Sequence, residues 1–256
     1  MSEFLDIATE AARRAGSLLL EKFVGPARGV DTKTSPTDPV SDADRASEEL
    51  ILALLAQRRP NDGVVGEEGG GRSGSSGVEW VVDPLDGTVN FLYRIPVWAV
   101  SIAARDERGT FVGVVFDPNR DEMFTAELGE GARLNSEEIH VSQETDISKA
   151  LVGTGFAYQS EARAAQAKVA QRVLPRVRDL RRAGSAASDL ATVACGRYDG
   201  FYEAHLEEWD RAAGVLLVQE AGGRVQDIPP PIPTIKGGVV AANPALFDAL
   251  HELVVS

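Results

Sequence analysis

Trp80-Val81-Val82-Asp83-Pro84-Leu85-Asp86-Gly87-Thr88-Val89-Asn90-Phe91 opens with three apolar, β-prone residues that predict a buried strand. The strand runs into Asp83, and Pro84 then has no N–H to give a ladder. Asp86, Gly87 and the Thr88 hydroxyl follow at once. Two carboxylates, the Leu85 carbonyl and a hydroxyl therefore gather in one tight turn. All are hard oxygen donors, and with no His or Cys nearby they suit Mg²⁺, Mn²⁺ or Ca²⁺ rather than zinc. A short helix starting at Gly87 adds free N–H groups that can hold a phosphate. Taken alone, the same residues also describe a strand followed by an Asx turn.

The chain around this turn has 256 residues, 43% hydrophobic and 25% charged, the balance of a globular protein with a real core. That length suits one large domain or two intimate halves; the expectation is a single domain whose halves run over about 1–145 and 146–256. Lys plus Arg number 26 against 39 Asp plus Glu, a net charge of −13. Such a field repels nucleic acid and anionic membranes, and it repels a phosphorylated substrate unless bound metal reverses the sign locally. Neither nucleic acid nor membrane is expected as a partner. The lone Cys195 excludes an internal disulfide and fits a reducing compartment. No basic segment followed by an apolar run opens the chain, and no apolar run reaches the ~18 residues that span a bilayer. A cytoplasmic location is expected.

Upstream, apolar residues at helical spacing predict a helix over 3–23, with Ser2 as its N-cap and Gly25-Pro26 ending it. A polar, Pro-containing loop over 26–40 leads to a second helix from about Asp42 to Gln57. Val64-Val65 reads as a short strand into Gly66-Glu67-Glu68, and the Gly/Ser-rich 72–77 as a flexible loop or lid. Downstream, strands over 97–104 and 110–116 flank a hairpin at Glu107-Arg108-Gly109. Strands are also expected at 122–126, 151–155, 201–203 and 239–241, with loop and an edge strand over 128–143. Helices are expected at 161–180 (divided by Pro175), 185–195, 209–221 and 244–254. Helices and strands mix without a strict βαβ repeat, which predicts a layered, mixed α/β fold.

Glu67 and Glu68 sit in a Gly-rich loop after a strand, where a carboxylate can be aimed or simply solvated. Asp210 opens a nearly all-apolar helix, and Asp38, Asp42 and Asp44 cluster ahead of another. Each of these aspartates also suits a helix cap. Two-metal phosphoryl chemistry needs several carboxylates around ions about 4 Å apart. Asp83 is the natural bridge, with Glu67, Asp86 and Asp210 at its flanks. Spacing alone leaves open whether they converge.

Together these segments resemble the inositol monophosphatase family. The resemblance lies in Gly66-Glu67-Glu68, the Trp80–Phe91 stretch and Trp209-Asp210-Arg211-Ala212-Ala213-Gly214. Ser35-Pro36-Thr37-Asp38 with Asp44, and Gly184-Ser185-Ala186-Ala187 ahead of Glu203, match as well. It implies a five-layered αβαβα sandwich and Mg²⁺-dependent, lithium-sensitive hydrolysis of phosphate monoesters, commonly by a homodimer. By the same resemblance, Glu67, Asp83, the Leu85 carbonyl and Thr88 surround a first metal. Asp83, Asp86 and Asp210 hold a second, and Asp44 lies beside a weaker third through water. Thr88 and Glu67 orient the metal-activated water. Gly87 and Thr88 N–H groups bind phosphate oxygens, and Gly184, Ser185, Ala187 and Glu203 line the alcohol side. The loop after Glu67 is shorter and richer in glycine than in many members.

Within the family, Asn90-Phe91 and the placement of Glu203 resemble the inositol branch, so inositol 1-phosphate is the expected substrate. Histidinol phosphate, fructose 1,6-bisphosphate and nucleotide 3′-phosphates are the alternatives. A second substrate phosphate would call for extra cations, for which Arg181-Arg182 is the candidate. Leu85-Asp86-Gly87-Thr88 also resembles part of the haloacid-dehalogenase loop, but Pro84 stands where that motif needs a nucleophilic Asp. A non-catalytic sugar-phosphate sensor on the same fold is the remaining alternative.

Overall fold

Trp80, Val82, Ile102 and Val114 are buried against one layer of helices, while Val81, Ala103 and Val115 are buried against another. A sheet covered on both faces needs this continuous apolar run in place of strict alternation. The computed structural model describes residues 2–24, 31–32 and 39–256; the expectations for Gly25-Pro26 and for Ser35-Pro36-Thr37-Asp38 lie outside them. Helix α1 (Glu3–Phe23) leads to a two-residue ribbon, β1 (Asp31–Thr32) and β2 (Pro39–Val40), and then to α2 (Asp42–Arg58). Ser2 caps α1 by accepting from the Leu5 N–H.

The first large sheet has seven strands in chain order. They are β3 (Gly63–Gly66), β4 (Glu79–Asp86), β5 (Ala99–Asp106), β6 (Gly109–Asp117), β7 (Glu122–Glu127), β8 (Gly131–Leu134) and β9 (Glu137–Ile139), with the short helix α3 (Thr88–Leu92) after β4. Only β3 and β4 run parallel. The second sheet is built from β10 (Leu151–Thr154), β11 (Asp179–Arg181), β12 (Gly200–Ala204), β13 (Arg224–Ile228) and β14 (Gly238–Ala242), in the order β11-β10-β12-β14-β13. The remaining helices are α4 (Ser160–Val173), α5 (Ala186–Ala194), α6 (Glu208–Glu220) and α7 (Phe247–Val255).

Three apolar clusters define five layers. The first joins α1 and α2 to the seven-stranded sheet, the second fills the space between the sheets with α5 and α6, and the third puts α4 and α7 on the outer face of the five-stranded sheet. In the middle layer α5 is rich in alanine. A β-carbon on Gly214 of α6 would stand 2.6 Å from Leu190 Cβ of α5, so the two helices lie nearly backbone to backbone. This αβαβα sandwich is the predicted architecture.

Three local expectations change. The helix expected to reach Leu180 ends at Val173, and Asp179–Arg181 is a strand paired parallel to β10. Pro175 stops the helix, and the next residues find a partner that local pattern does not reveal. Arg224–Ile228, unassigned from the sequence, is the edge strand beside β14. Residues 72–77, expected to be flexible, are a loop tied down at its start. Arg72 donates to the Asp62 and Arg59 carbonyls, Val64 and Arg72 exchange backbone hydrogen bonds, and a β-carbon on Gly74 would meet Gly63 N at 2.1 Å. Gly74 serves close packing against β3, whereas Gly77 serves a turn at φ +84° with open space around it.

Candidate active site

A cleft of about 620 Å³ opens where the end of β4 meets the N-termini of α3, α5 and α6 and the segment after β10. The residues preceding those three helices, Gly87, Ser185 and Glu207, all line it. Glu67, Asp83, Leu85, Asp86, Thr88, Gly184, Glu203 and Asp210 line it as well. Segments far apart in the chain thus meet in one place. Asp44 and Ala187 stand behind the wall, each hydrogen-bonded to a residue that forms it.

The turn after β4 is built by its own residues. The sheet register jumps between Asp83↔Ser101 and Asp86↔Ala99, because Pro84 offers no donor. Asp83 Oδ1 accepts the Leu85 N–H at 3.0 Å, closing an Asx turn across the proline, and Ser47 Oγ caps the Pro84 carbonyl at 2.8 Å. Gly87 has φ +102° and leads into α3; a side chain there would be strained. Thr88 Oγ1 lies 2.7 Å from Asp44 Oδ1 and 3.2 Å from the Leu85 carbonyl, and donates toward both. Asp44 is fully buried, and its other oxygen accepts from Ser41 N at 2.9 Å as half of a capping box on α2. Asp44 thus caps α2, as its cap reading expected, and also accepts from Thr88, a contact not read from the sequence. Asp210 is similar: its Oδ2 accepts the Glu207 N–H at 2.7 Å at the head of α6 while the residue faces the cleft.

Asp86 Oδ2 accepts from Ser185 Oγ and from the Ala187 N–H, both at 2.7 Å. The free N–H groups of α5 are thus directed at a carboxylate from the other sheet, as a helix N-terminus favours. Asn90 ties the same two segments together. Its Nδ2 donates to the Val97 and Ala183 carbonyls at 2.7 and 2.8 Å, which fixes the loop that holds Gly184 at φ +97°.

Negative charge is concentrated here. Burial, reinforced by Glu67, Asp86 and Asp210, pushes the Asp83 carboxyl well above the usual carboxylate range. Asp210 is raised by burial and then by Asp86 and Glu67. Asp86 rises to about 6 through burial, against the opposing hydrogen bonds of Ser185 and the α5 backbone. Glu203 is pushed up to about 8 by burial and Asp86, with Arg182 pulling the other way.

This donor set fits a hard divalent cation. The carboxylates, the Leu85 carbonyl and Thr88 are all oxygen donors, and the mutual repulsion of the carboxylates is what such a charge relieves; His205, also on the wall, has its Nδ1 accepting from the Lys236 N–H. Among the described residues no three acidic, His or Cys side chains already stand in ligation geometry. Asp83, Asp86 and Asp210 are instead held by backbone and hydroxyl donors.

Of two further residues in this neighbourhood, Asp189 carries no local signal in the sequence, while Arg182 belongs to the pair of candidate cations. Asp189, inside α5 and 2% exposed, is raised well above the usual range by burial, Glu203 and Asp86. Arg182 is, among the described residues, the one Lys or Arg lining the cleft, whereas Arg181 turns outward to Asp179. The pair therefore supplies one cation to the site, not two.

Comparison with known proteins agrees with this architecture. A profile of the inositol monophosphatase family matches residues 1–256. The inositol-1-monophosphatase of Mycobacterium leprae is 44% identical over 260 residues, covering 95% of this chain and 89% of the relative. Nus factor SuhB of Escherichia coli K12 is 40% identical over 253 residues, covering 98% and 95%. The crystal structure of the extragenic suppressor protein suhB from Bartonella henselae superposes with a TM-score of 0.92 at 36% identity, covering 99% of this chain and 98% of that one.

Proposed function

The chain belongs to the inositol monophosphatase family, and on that premise we propose that it hydrolyses inositol 1-phosphate to myo-inositol and phosphate with Mg²⁺ as its cofactor. The observation that carries this is the convergence of Glu67, Asp83, Asp86 and Asp210 beside Thr88 in one cleft. Glu67, Asp83, Asp86, Asp210 and the Leu85 carbonyl would hold two to three ions. When bound there, magnesium supplies neutralising charge to the phosphate oxygens and acidity to water.

The chain's own residues do the rest. Thr88 Oγ1 commits its proton to Asp44 or Leu85, so its lone pairs are left to accept from water and orient it toward phosphorus. Glu67 faces the same space and takes up the proton. Water adds to phosphorus as the P–O ester bond breaks, and the proton taken up by Glu67 is returned through solvent to the leaving ester oxygen, giving alcohol and phosphate. The Gly87 and Thr88 N–H groups hold phosphate oxygens at the head of α3. Gly184, Ser185 and Glu203 meet the ring hydroxyls, and each hydrogen bond to Glu203 contributes ~0.5–1.5 kcal/mol while its carboxyl is neutral and ~1.5–3 kcal/mol once it is ionised. Inhibition by Li⁺, a homodimer and a cytoplasmic location belong to the same reading.

The test is phosphate release from inositol 1-phosphate, histidinol phosphate, fructose 1,6-bisphosphate and adenosine 3′,5′-bisphosphate, in Mg²⁺ and in chelator. Inositol 1-phosphate should give the highest kcat/KM, and only with Mg²⁺. Release that persists in chelator would overturn the metal assignment. Preference for another substrate would move the enzyme within the family. A regulatory partner role is the second reading, suggested by the Nus-factor relative; absence of phosphate release from all four would favour it.

A further inference from the structure

We infer that Gly155 is a positioning residue for substrate selection: lacking a side chain, it leaves the space in which the Glu203 carboxyl is seated at the alcohol side of the cleft. The inference rests on the reading of Glu203 given above. Strands β10 and β12 run parallel with Thr154 opposite Tyr202; one residue further, Gly155 comes beside Glu203, and neighbours on adjacent strands share a face. A β-carbon built on Gly155 would stand 2.0 Å from Glu203 Oε2, 2.1 Å from Cδ and 2.2 Å from Oε1. Those three atoms are the carboxyl group itself. Gly155 is not among the residues of positive φ, unlike Gly87 and Gly184. Its backbone therefore tolerates any residue, and the need for glycine is one of space.

The same pair forms a partition. Gly155 and Glu203 line the catalytic cleft and also a second cavity of about 290 Å³ behind it, under α4 and α7, walled by Tyr202, Val169 and Ile228. The three atoms nearest a methyl group at position 155 all belong to the far end of a flexible side chain, so the strand can stay and the carboxyl must leave. The back cavity gives it somewhere to go. Once displaced, Glu203 no longer faces the ring hydroxyls of a polyol, although the carboxylates around Asp83 are untouched.

The experiment is a double-mutant cycle of Gly155→Ala, Glu203→Ala and the two combined. It is read by the ratio of kcat/KM for inositol 1-phosphate to that for 4-nitrophenyl phosphate, which offers no ring hydroxyls. Each single substitution should lower the ratio by roughly tenfold or more, from the strength of a charged acceptor. The double variant should fall no lower than Glu203→Ala, because removal of the carboxyl removes the clash. Losses that multiply in the double variant, or a Gly155→Ala ratio equal to wild type, would overturn the inference. Thermal melting tests the seat without activity. Gly155→Ala should raise Tm in the Glu203→Ala background, where only backbone freedom is lost, and lower it in wild type. Equal shifts in both backgrounds would show that the seat does not exist. A seat confirmed by melting, with no change of ratio in Glu203→Ala, would instead refute the role given to Glu203.

Discussion

Asp210 does two jobs with one carboxylate, and a single substitution separates them. Its Oδ2 accepts the Glu207 N–H at the head of α6, which the amide oxygen of asparagine can also do. Its charge repels Asp86 and Glu67 across the cleft, which asparagine cannot. Asp210→Asn should therefore keep its helix cap, and in chelator it should melt no lower than wild type because it relieves repulsion. Its kcat in Mg²⁺ should fall on the order of a hundredfold or more, the scale seen when one group serving transition-state charge is lost. Asp83→Asn should lose activity as severely. Near-normal kcat in Asp210→Asn would reduce the residue to a helix cap. These carboxylates were legible because each belongs to a short local run with its own turn or cap chemistry. Asp189 was not, because a lone Asp amid Ala186-Ala187-Ser188 and Leu190-Ala191 looks like any helical polar residue until Glu203 and Asp86 are folded against it.

At the scale of elements, the long helix α1 could be read from cap and stripe together, since Ser2 precedes regular apolar spacing, and α2 from its apolar residues; the Ser41 cap of α2 is seen in the structure. Strands β11 and β13 could not. Each is short and lies at an edge of its sheet, so half its pattern answers to solvent and its pairing is set by a distant partner. The junction between α3 and α5 was half visible: Asn90 belonged to the motif, but its partners are carbonyls of Val97 and Ala183. Asn90→Ala would leave both carbonyls without that donor at a site 5% exposed. Loss of ~1–3 kcal/mol in urea unfolding is expected, together with a higher KM for inositol 1-phosphate as the Gly184-Ser185 loop loosens. A ΔG within a few tenths of wild type would show that water replaces the amide.

At the scale of the whole molecule, the layer order followed from the resemblance and from strands too apolar to have a wet face. The electrostatic state of the folded cleft is a property of the assembled fold alone. Asp86 and Glu203, at about 6 and about 8, and Asp83 and Asp210, raised by burial and then by their acidic neighbours, bind protons more tightly than their ordinary values near 4 allow. The folded protein therefore holds more protons than the unfolded chain through the range above about pH 4, and its stability must fall as pH rises through those folded values. The net charge of −13 acts in the same direction, since self-repulsion grows as carboxylates ionise. A divalent cation reverses this, because it binds the ionised cleft and competes with the protons. In chelator, Tm should decline from pH 5 to pH 8; in millimolar Mg²⁺ the decline should flatten, so the increment from Mg²⁺ grows with pH. Differential scanning calorimetry at four pH values with and without Mg²⁺ measures both slopes. A Tm that climbs with pH in chelator would mean that the cleft carboxylates are already ionised without a metal. A Mg²⁺ increment independent of pH would place the ion somewhere other than among these residues.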